Sequence, residues 1–545
     1  MATALSDPRK AACCLTTVGL ASATAQIGRR RLVAGCGLSL IGTCAPTWLS
    51  GCASGGTAPP AAPAPGSGTR DLAVLNRVTW GIDSQALQAW NRRGQRDYLL
   101  GQLHPPVHAP LPPIVQAQCD ALSLNSKPMT TWVVDMEQHR READALADDA
   151  AKKAAQQSYQ QDMNRLARDA ATQMLLRALY SPSQLQEQLT WFWFNHFSVH
   201  QYKGNLRAMV GDYEGVLRPR ALGRFRDLLI ASATHPAMIR FLDNEQNAAN
   251  HINENYAREV MELHTLGVAG GYSQKDVQEL ARVLTGLGIN FGENRPRLNA
   301  AQQPFYVREG ATEFNPARHD AGTKVVLGDT FAGRGWSEIM DQLTRLARYP
   351  ATARHVSHRL AIYFVADNPP PEIVGRMSDA FLASDGDIAV TLQAMFEAPA
   401  FAASLSRKFK DPLHYVVSAV RLAYDGKPIV NAAPMIGWLN RLGEGLYNRQ
   451  TPDGYPMDEA AWSGSGQMST RFEIARAIGS SSAGLFRAEG PNGVETPAFP
   501  QLSNALFHEH LAGSFGQPTR TALDNATSAV EWSVMLLSSP EFMYR

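Results

Sequence analysis

From Asp71 onward, apolar residues recur at spacings of three and four, and that helical period rarely breaks. "LNRVTWGIDSQALQAWNRRGQRDYLLGQL" shows it first, with a helix start at Asp83 or Ser84. Residues 135–176 are rich in Ala, Gln, Asp, Arg and Lys and carry only a thin apolar stripe. That pattern predicts a long solvated surface helix or arm, with docking of a partner as its functional alternative. Ser181-Pro182-Ser183-Gln184 gives the next helix a capping-box spacing and a Pro in its first turn. A further helix is predicted from Asn253 to Gly267. Another is capped by Ser273 to Asp276 and buries Val277, Leu280, Ala281 and Leu284. His235-Pro236 opens a short one that ends at Asp243-Asn244. The same period predicts helices over 337–348, 351–365, 375–383, 387–397, 411–425, 433–442, 470–478 and 522–538. Strand-like alternation is sparse, and "PFYVREG" (304–310) and "TKVVLG" (323–328) are the candidates for a small hairpin. The fold class read from this pattern is mainly α: a large multi-helical domain over 71–545 with a small β-hairpin insertion.

The stretch "WFWFNHFSVH", Trp191 to His200, departs from the amphipathic pattern. Its rings span nearly the whole helix circumference, which predicts a central helix buried on most sides rather than a surface platform. Asn195 and His196 are polar groups inside that apolar helix and must find partners or ligands.

The N-terminus carries a different message. "GRRRLVAGCGLSLIGTCAPTWLSGCASGG" runs from basic residues through an apolar stretch to Leu49-Ser50-Gly51-Cys52. Basic then apolar is the order of an export signal. The last four residues resemble a bacterial lipobox, in which the Cys is lipidated, and Arg29-Arg30 resembles a twin-arginine signal. Residues 1–52 are read as this signal. Residues 53–70, "ASGGTAPPAAPAPGSGTR", are read as an extended tether. The expected location is the cell envelope, with Cys52 as the lipid anchor to a membrane. Cleavage there would leave Cys52 and Cys119 as the only cysteines, so no disulfide framework or zinc–thiolate site is expected. Arg9, Lys10, Arg29, Arg30 and Arg31 against Asp7 put +4 into residues 1–51 of a chain whose formal charge is +1, leaving about −3 elsewhere. That balance gives no electrostatic reason to expect nucleic-acid binding.

Several blocks resemble the bacterial family DUF1800: "LNRVTWG", "FWFNHFSV", "RPRALGRFRDLLIASATHPAMIRFLDN", "NENYAREVMELHTLGVAGGYSQKDVQELARVLTG", "FNPARHDAGTKVVLG" and "SSPEFMYR". The resemblance runs over most of 71–545. The arm at 135–176 looks like an insertion, and His358 stands where the family pattern leads one to expect Lys. The resemblance implies a mostly helical exported protein with no established activity. It also implies association with a second exported family of sulfatase-like or phosphatase-like fold.

Candidate chemistry centres on residues 253–267. On an α-helix, Glu254, Arg258 and Glu262 fall at i, i+4 and i+8 along one stripe, and Glu259 neighbours Glu262. This is either an Arg-bridged structural network or an acid/base pair whose pKa values burial and Arg258 push apart. Asn255 and His264 flank the stripe as orienting or binding residues. Glu259 and Glu262 could share a divalent metal, although no Glu-x-x-His accompanies them. His196 and His200 have a metal-compatible helical spacing that lacks the Glu of His-Glu-x-x-His. His196 is also read as a single functional imidazole oriented by Asn195 or by a carboxylate elsewhere, or as a satisfied core histidine. His319-Asp320 sits in a loop before Gly322, as a reactive pair or a turn cap. "GVAGGY" is read as a helix end, not a phosphate cradle.

Three functions follow as expectations. The first is an envelope hydrolase acting on a glycan through Glu259, Glu262, His196, His319 and Asp320. The second is a non-catalytic envelope binding or assembly protein. The third is a metal-dependent oxidase or hydrolase. The enzyme reading requires Glu259, Glu262, His196 and His319 to converge on one solvent-connected pocket.

Overall fold

A computed structural model describes residues 67–106, 109–292, 294–490 and 493–545. The expected export signal and lipobox with Cys52, and residues 53–66 of the expected tether, lie outside the described residues. Residues 67–70, read as the end of the tether, form the first turn of helix Ser67–Val78. Among the described residues no helix is long and apolar enough to cross a membrane.

The protein is mainly α. The aromatic helix, Gln184–His196, lies at the centre, and every residue from Trp191 to Val199 is buried. Its rings pack on Tyr213, Phe225, Tyr363 and Tyr447 from four other segments. The expected capping box at its start does not form. Ser183 makes no side-chain cap, and Gln184 instead donates to the carbonyls of Ala178 and Ser181 while accepting from the backbone of Trp80. At Ser273 the box does form, with Asp276 returning the hydrogen bond to the Ser273 backbone.

The arm is two helices, not one. Met129–Ala145 and Asp149–Tyr180 pack as a helical hairpin, broken where Asp148 caps the second helix through the Ala151 N–H. Met136, Tyr159, Met163 and Leu166 give the hairpin its own small core. Lower down, the second helix joins the main core through Met174, Leu175 and Leu179. The predicted 522–538 helix is likewise split, into Gln517–Asp524 and Ala529–Leu537, because Ser528 caps the second piece.

The predicted strand segments do not pair with each other. Val307–Glu309 pairs with Thr312–Phe314, which also pairs with Leu287–Ile289; Lys324–Val326 pairs with Asp329–Phe331. Each segment therefore takes part in a different small antiparallel sheet, so the expected hairpin becomes two.

Candidate functional site

The 253–267 segment is not a continuous α-helix. Asn255–Glu259 is α-helical and Val260–Thr265 is a π-turn, closed by Leu266 N–H on the Met261 carbonyl. The π-turn rotates the acidic stripe out of register. Arg258 bonds Glu254 at 3.1 Å and Gln274 at 3.0 Å, while Glu262 accepts from the Tyr272 hydroxyl at 3.2 Å. The i, i+4, i+8 relation thus holds for its first pair only. Asn255 is a local fastener, donating to the Leu242 carbonyl.

A helix end leaves carbonyls without partners. Here two imidazoles take them. His196 Nε2 donates to the His264 carbonyl and His355 Nε2 to the Leu263 carbonyl, each at 3.1 Å. The chain then turns at Gly267 (φ +81°), where a Cβ would sit 2.8 Å from His355 Nδ1. The rings of His196, His264 and His355 lie about the same spot, with centroids 5.9 and 6.3 Å from that of His196. Burial, then Arg359, His355 and His264, hold His196 well below its usual pKa. Burial and His355 push His264 down to about 3, and burial lowers His355 to about 4. All three imidazoles are held neutral; His196 and His355 are spent on the two carbonyls, whereas the His264 Nε2 is buried without a hydrogen-bond partner. His200 lies beyond the end of the helix and beside Tyr202, so the His196/His200 pair of the metal reading does not form.

Such histidines make stability pH-dependent. An imidazole that titrates near 6.5 unfolded but near 4 folded binds more protons in the unfolded state between those values. Its contribution is full above pH 6.5 and is lost as pH falls towards 4. His355→Gln keeps an N–H donor for the Leu263 carbonyl and removes one such proton. Stability measured by denaturant titration between pH 6 and 4.5 should fall less steeply in the variant, by up to about 1.4 kcal/mol per pH unit. Identical slopes would contradict this assignment.

Asn195 does a different job. Its amide donates to the Tyr455 carbonyl at 3.0 Å, and its oxygen accepts from the Tyr455 N–H at 2.6 Å. This clamp holds the loop containing Asp453, which pairs with Arg449 at 2.9 Å. Asp453 acts on Arg359 and Glu259. Burial, then Glu262, raise the Glu259 carboxyl above its ordinary range. His355, Arg359, Tyr272 and Asp453 therefore belong to this cluster although sequence reasoning did not name them. The apolar period of 351–365 was legible, but not that this helix and the loop at Asp453 both reach the π-turn.

His319 and Asp320 belong elsewhere. His319 Nδ1 bonds the Thr285 carbonyl at 2.8 Å, and its Nε2 faces Lys324 and Glu338. Asp320 pairs with Arg282 at 2.7 Å, which depresses its pKa, and caps the turn at Gly322. The four residues required by the enzyme reading do not gather: His196 is buried on a carbonyl, and His319 is held by other elements. Among the described residues no three His, Cys, Asp or Glu side chains are grouped to hold a metal ion.

An open cleft lies elsewhere, between the arm and the body. This cleft of about 1340 Å³ is lined by Arg140, Arg207, Arg240, Lys203, Tyr202 and Phe291, among others. Glu137, Asp243 and Glu245 in the cleft are matched by Arg140, Lys203 and Arg240. Among the described residues Arg207, itself 7% exposed, pairs with no carboxylate. It donates to Asn164 and Gln160, its Nε is buried without a partner, and its guanidinium stands 5.3 Å from the ring centre of Tyr202, which is 54% exposed. Sequence reasoning missed this site because its two walls, the arm and residues 202–246, are joined only in the fold.

No curated protein and no solved structure matches the chain. Residues 73–544 match the family described as "Protein of unknown function (DUF1800)". The match spans nearly all of the helical body, so the chain belongs to the DUF1800 family.

Proposed function

We propose that the protein is a lipid-anchored envelope binding protein whose ligand, an acidic glycan, lies in the cleft beneath the arm. One observation carries this reading. Arg207, 7% exposed, lies in the wall of an open cleft beside an exposed tyrosine, and among the described residues it pairs with no carboxylate. An aromatic face takes the apolar face of a sugar, and a guanidinium with no carboxylate partner attracts a carboxylate or phosphate. His196 and His319 are committed to backbone carbonyls and Asp320 to an ion pair with Arg282. The lipobox at Cys52 supports placement in the envelope.

The test compares oligogalacturonate with neutral dextran oligomers by calorimetry on the full chain. Oligogalacturonate should bind and dextran should bind at least ten-fold more weakly. Tyr202→Ala should weaken binding about ten-fold, equivalent to about 1.4 kcal/mol, and Arg207→Gln should abolish the preference for the acidic glycan. No binding of either, or equal binding by the variants, overturns the reading. On fractionation of cells, Cys52→Ser should move the protein from the membrane to the soluble fraction.

The raised carboxyl of Glu259 beside Glu262 favours a second reading, a hydrolase using those two carboxylates. Release of shorter oligomers by wild type and not by Glu262→Gln would support it in place of simple binding.

A further inference from the structure

Lys408 and Lys410 are two residues apart and both are 3% exposed, yet their surroundings differ. Lys408 is paired with Asp367 and donates to the Met457 carbonyl. Among the described residues Lys410 has no carboxylate within 4 Å. Its Nζ donates to Ser418 Oγ at 3.0 Å and stands 3.8 Å from the ring centre of Phe542. Ser418 in turn donates to the Tyr415 carbonyl, so its oxygen is free to accept.

The charges around this amine are cationic or already committed. The Arg471 guanidinium donates to the Lys410 carbonyl at 2.7 Å, and Arg545 adds a second positive charge. Asp411 is spent on His414 at 2.8 Å, and Glu444 accepts from the Leu413 N–H. Glu541, at the pocket wall, accepts from Gly516 N–H and the Thr519 hydroxyl. Burial first, and then Arg471 and Arg545, hold the amine well below the usual lysine range. Lys410 and Ser418 line a cavity of about 240 Å³ whose walls include Leu72, Ile82, Leu422 and Phe515. A lysine desolvated in an apolar pocket beside another cation is the arrangement that frees an amine to attack a carbonyl.

We propose that Lys410 is an amine nucleophile that captures a small apolar aldehyde or ketone as an imine in this cavity. The nitrogen lone pair forms the C–N bond, and the carbonyl oxygen takes a proton. The C–O bond then breaks and water leaves with the second amine hydrogen. Nothing is oxidised or reduced. Ser418 is the positioning residue, holding the amine at the pocket floor.

The test uses the full chain with benzaldehyde and cyanoborohydride at pH 7, which reduces any imine to a stable secondary amine. Peptide mapping should find Lys410 modified at least ten-fold faster than exposed Lys153 and Lys275. The ratio should shrink towards pH 10, where all amines lose their protons. Ser418→Ala should lower the rate at Lys410 alone. Lys410 unmodified in the folded protein, or modified no faster than Lys153 and Lys275, overturns the proposal. Lys410→Gln should remove the adduct without changing the others; if that variant does not fold, the site ratio in wild type decides alone.

Discussion

Lys324→Met is expected to destabilise the protein by about 3–5 kcal/mol, because it leaves a carboxylate buried without its charge partner. Lys324 Nζ lies 3.0 Å from Glu338 Oε1, and the two side chains are 0% and 1% exposed. The approach is off the line of a good hydrogen bond, so the contact is chiefly ionic. Burial alone would raise the Glu338 carboxyl, but His319 and Lys324 outweigh it and hold the group below its ordinary value. Lys324 also donates to the Asp320 carbonyl, which ties the strand Lys324–Val326 to the preceding loop. The double variant Lys324→Met/Glu338→Leu removes both charges and should recover most of the loss, since an apolar pair can replace a buried ion pair at little cost. Equilibrium denaturation of the single and double variants measures the difference. A loss below about 1 kcal/mol in the single variant would mean that Glu338 is not an uncompensated buried charge, and that His319 alone holds it.

This ion cluster shows what sequence can and cannot reveal. His319-Asp320 was visible as a polar pair in a loop, but its partners Thr285, Lys324 and Glu338 come from three separate segments. The aromatic helix was legible because residues apolar on all sides have only one place to go. The Ser273 cap was legible because a capping box is closed within four residues. The π-turn was not. Residues 260–265 carry ordinary helical spacing, and their register is set by imidazoles from positions 196 and 355 on the Leu263 and His264 carbonyls. Strand pairing failed for the same reason: three-residue strands hold too few alternations to choose a partner, and Leu287 meets Phe314 only in the fold. The break in the arm was local, at Asp148, yet strong helix formers on both sides masked it.

Asn195→Ala is the variant expected to damage the π-turn cluster most, at a cost of roughly 2–5 kcal/mol for two buried hydrogen bonds lost together. The amide makes both with Tyr455, one through each polar atom, so alanine leaves a buried N–H and a buried carbonyl unsatisfied. Gly454 (φ +75°) lies against the same residue, so close that a Cβ there would sit 2.1 Å from the Asn195 carbonyl. Gly454→Ala should therefore damage the same contact from the other side. Released from the clamp, Asp453 moves away from Arg359 and Glu259, and the loop from Arg449 to Trp462 opens. Limited proteolysis should then cut within 449–462 in the variant and not in wild type, alongside the loss measured by denaturation. The Arg207 cleft is built from other segments, so glycan binding should persist in Asn195→Ala at temperatures where it is folded. Binding lost with the clamp while the fold is intact would move the ligand site from the cleft to the π-turn, and with it the weight of the functional reading to Glu259 and Glu262.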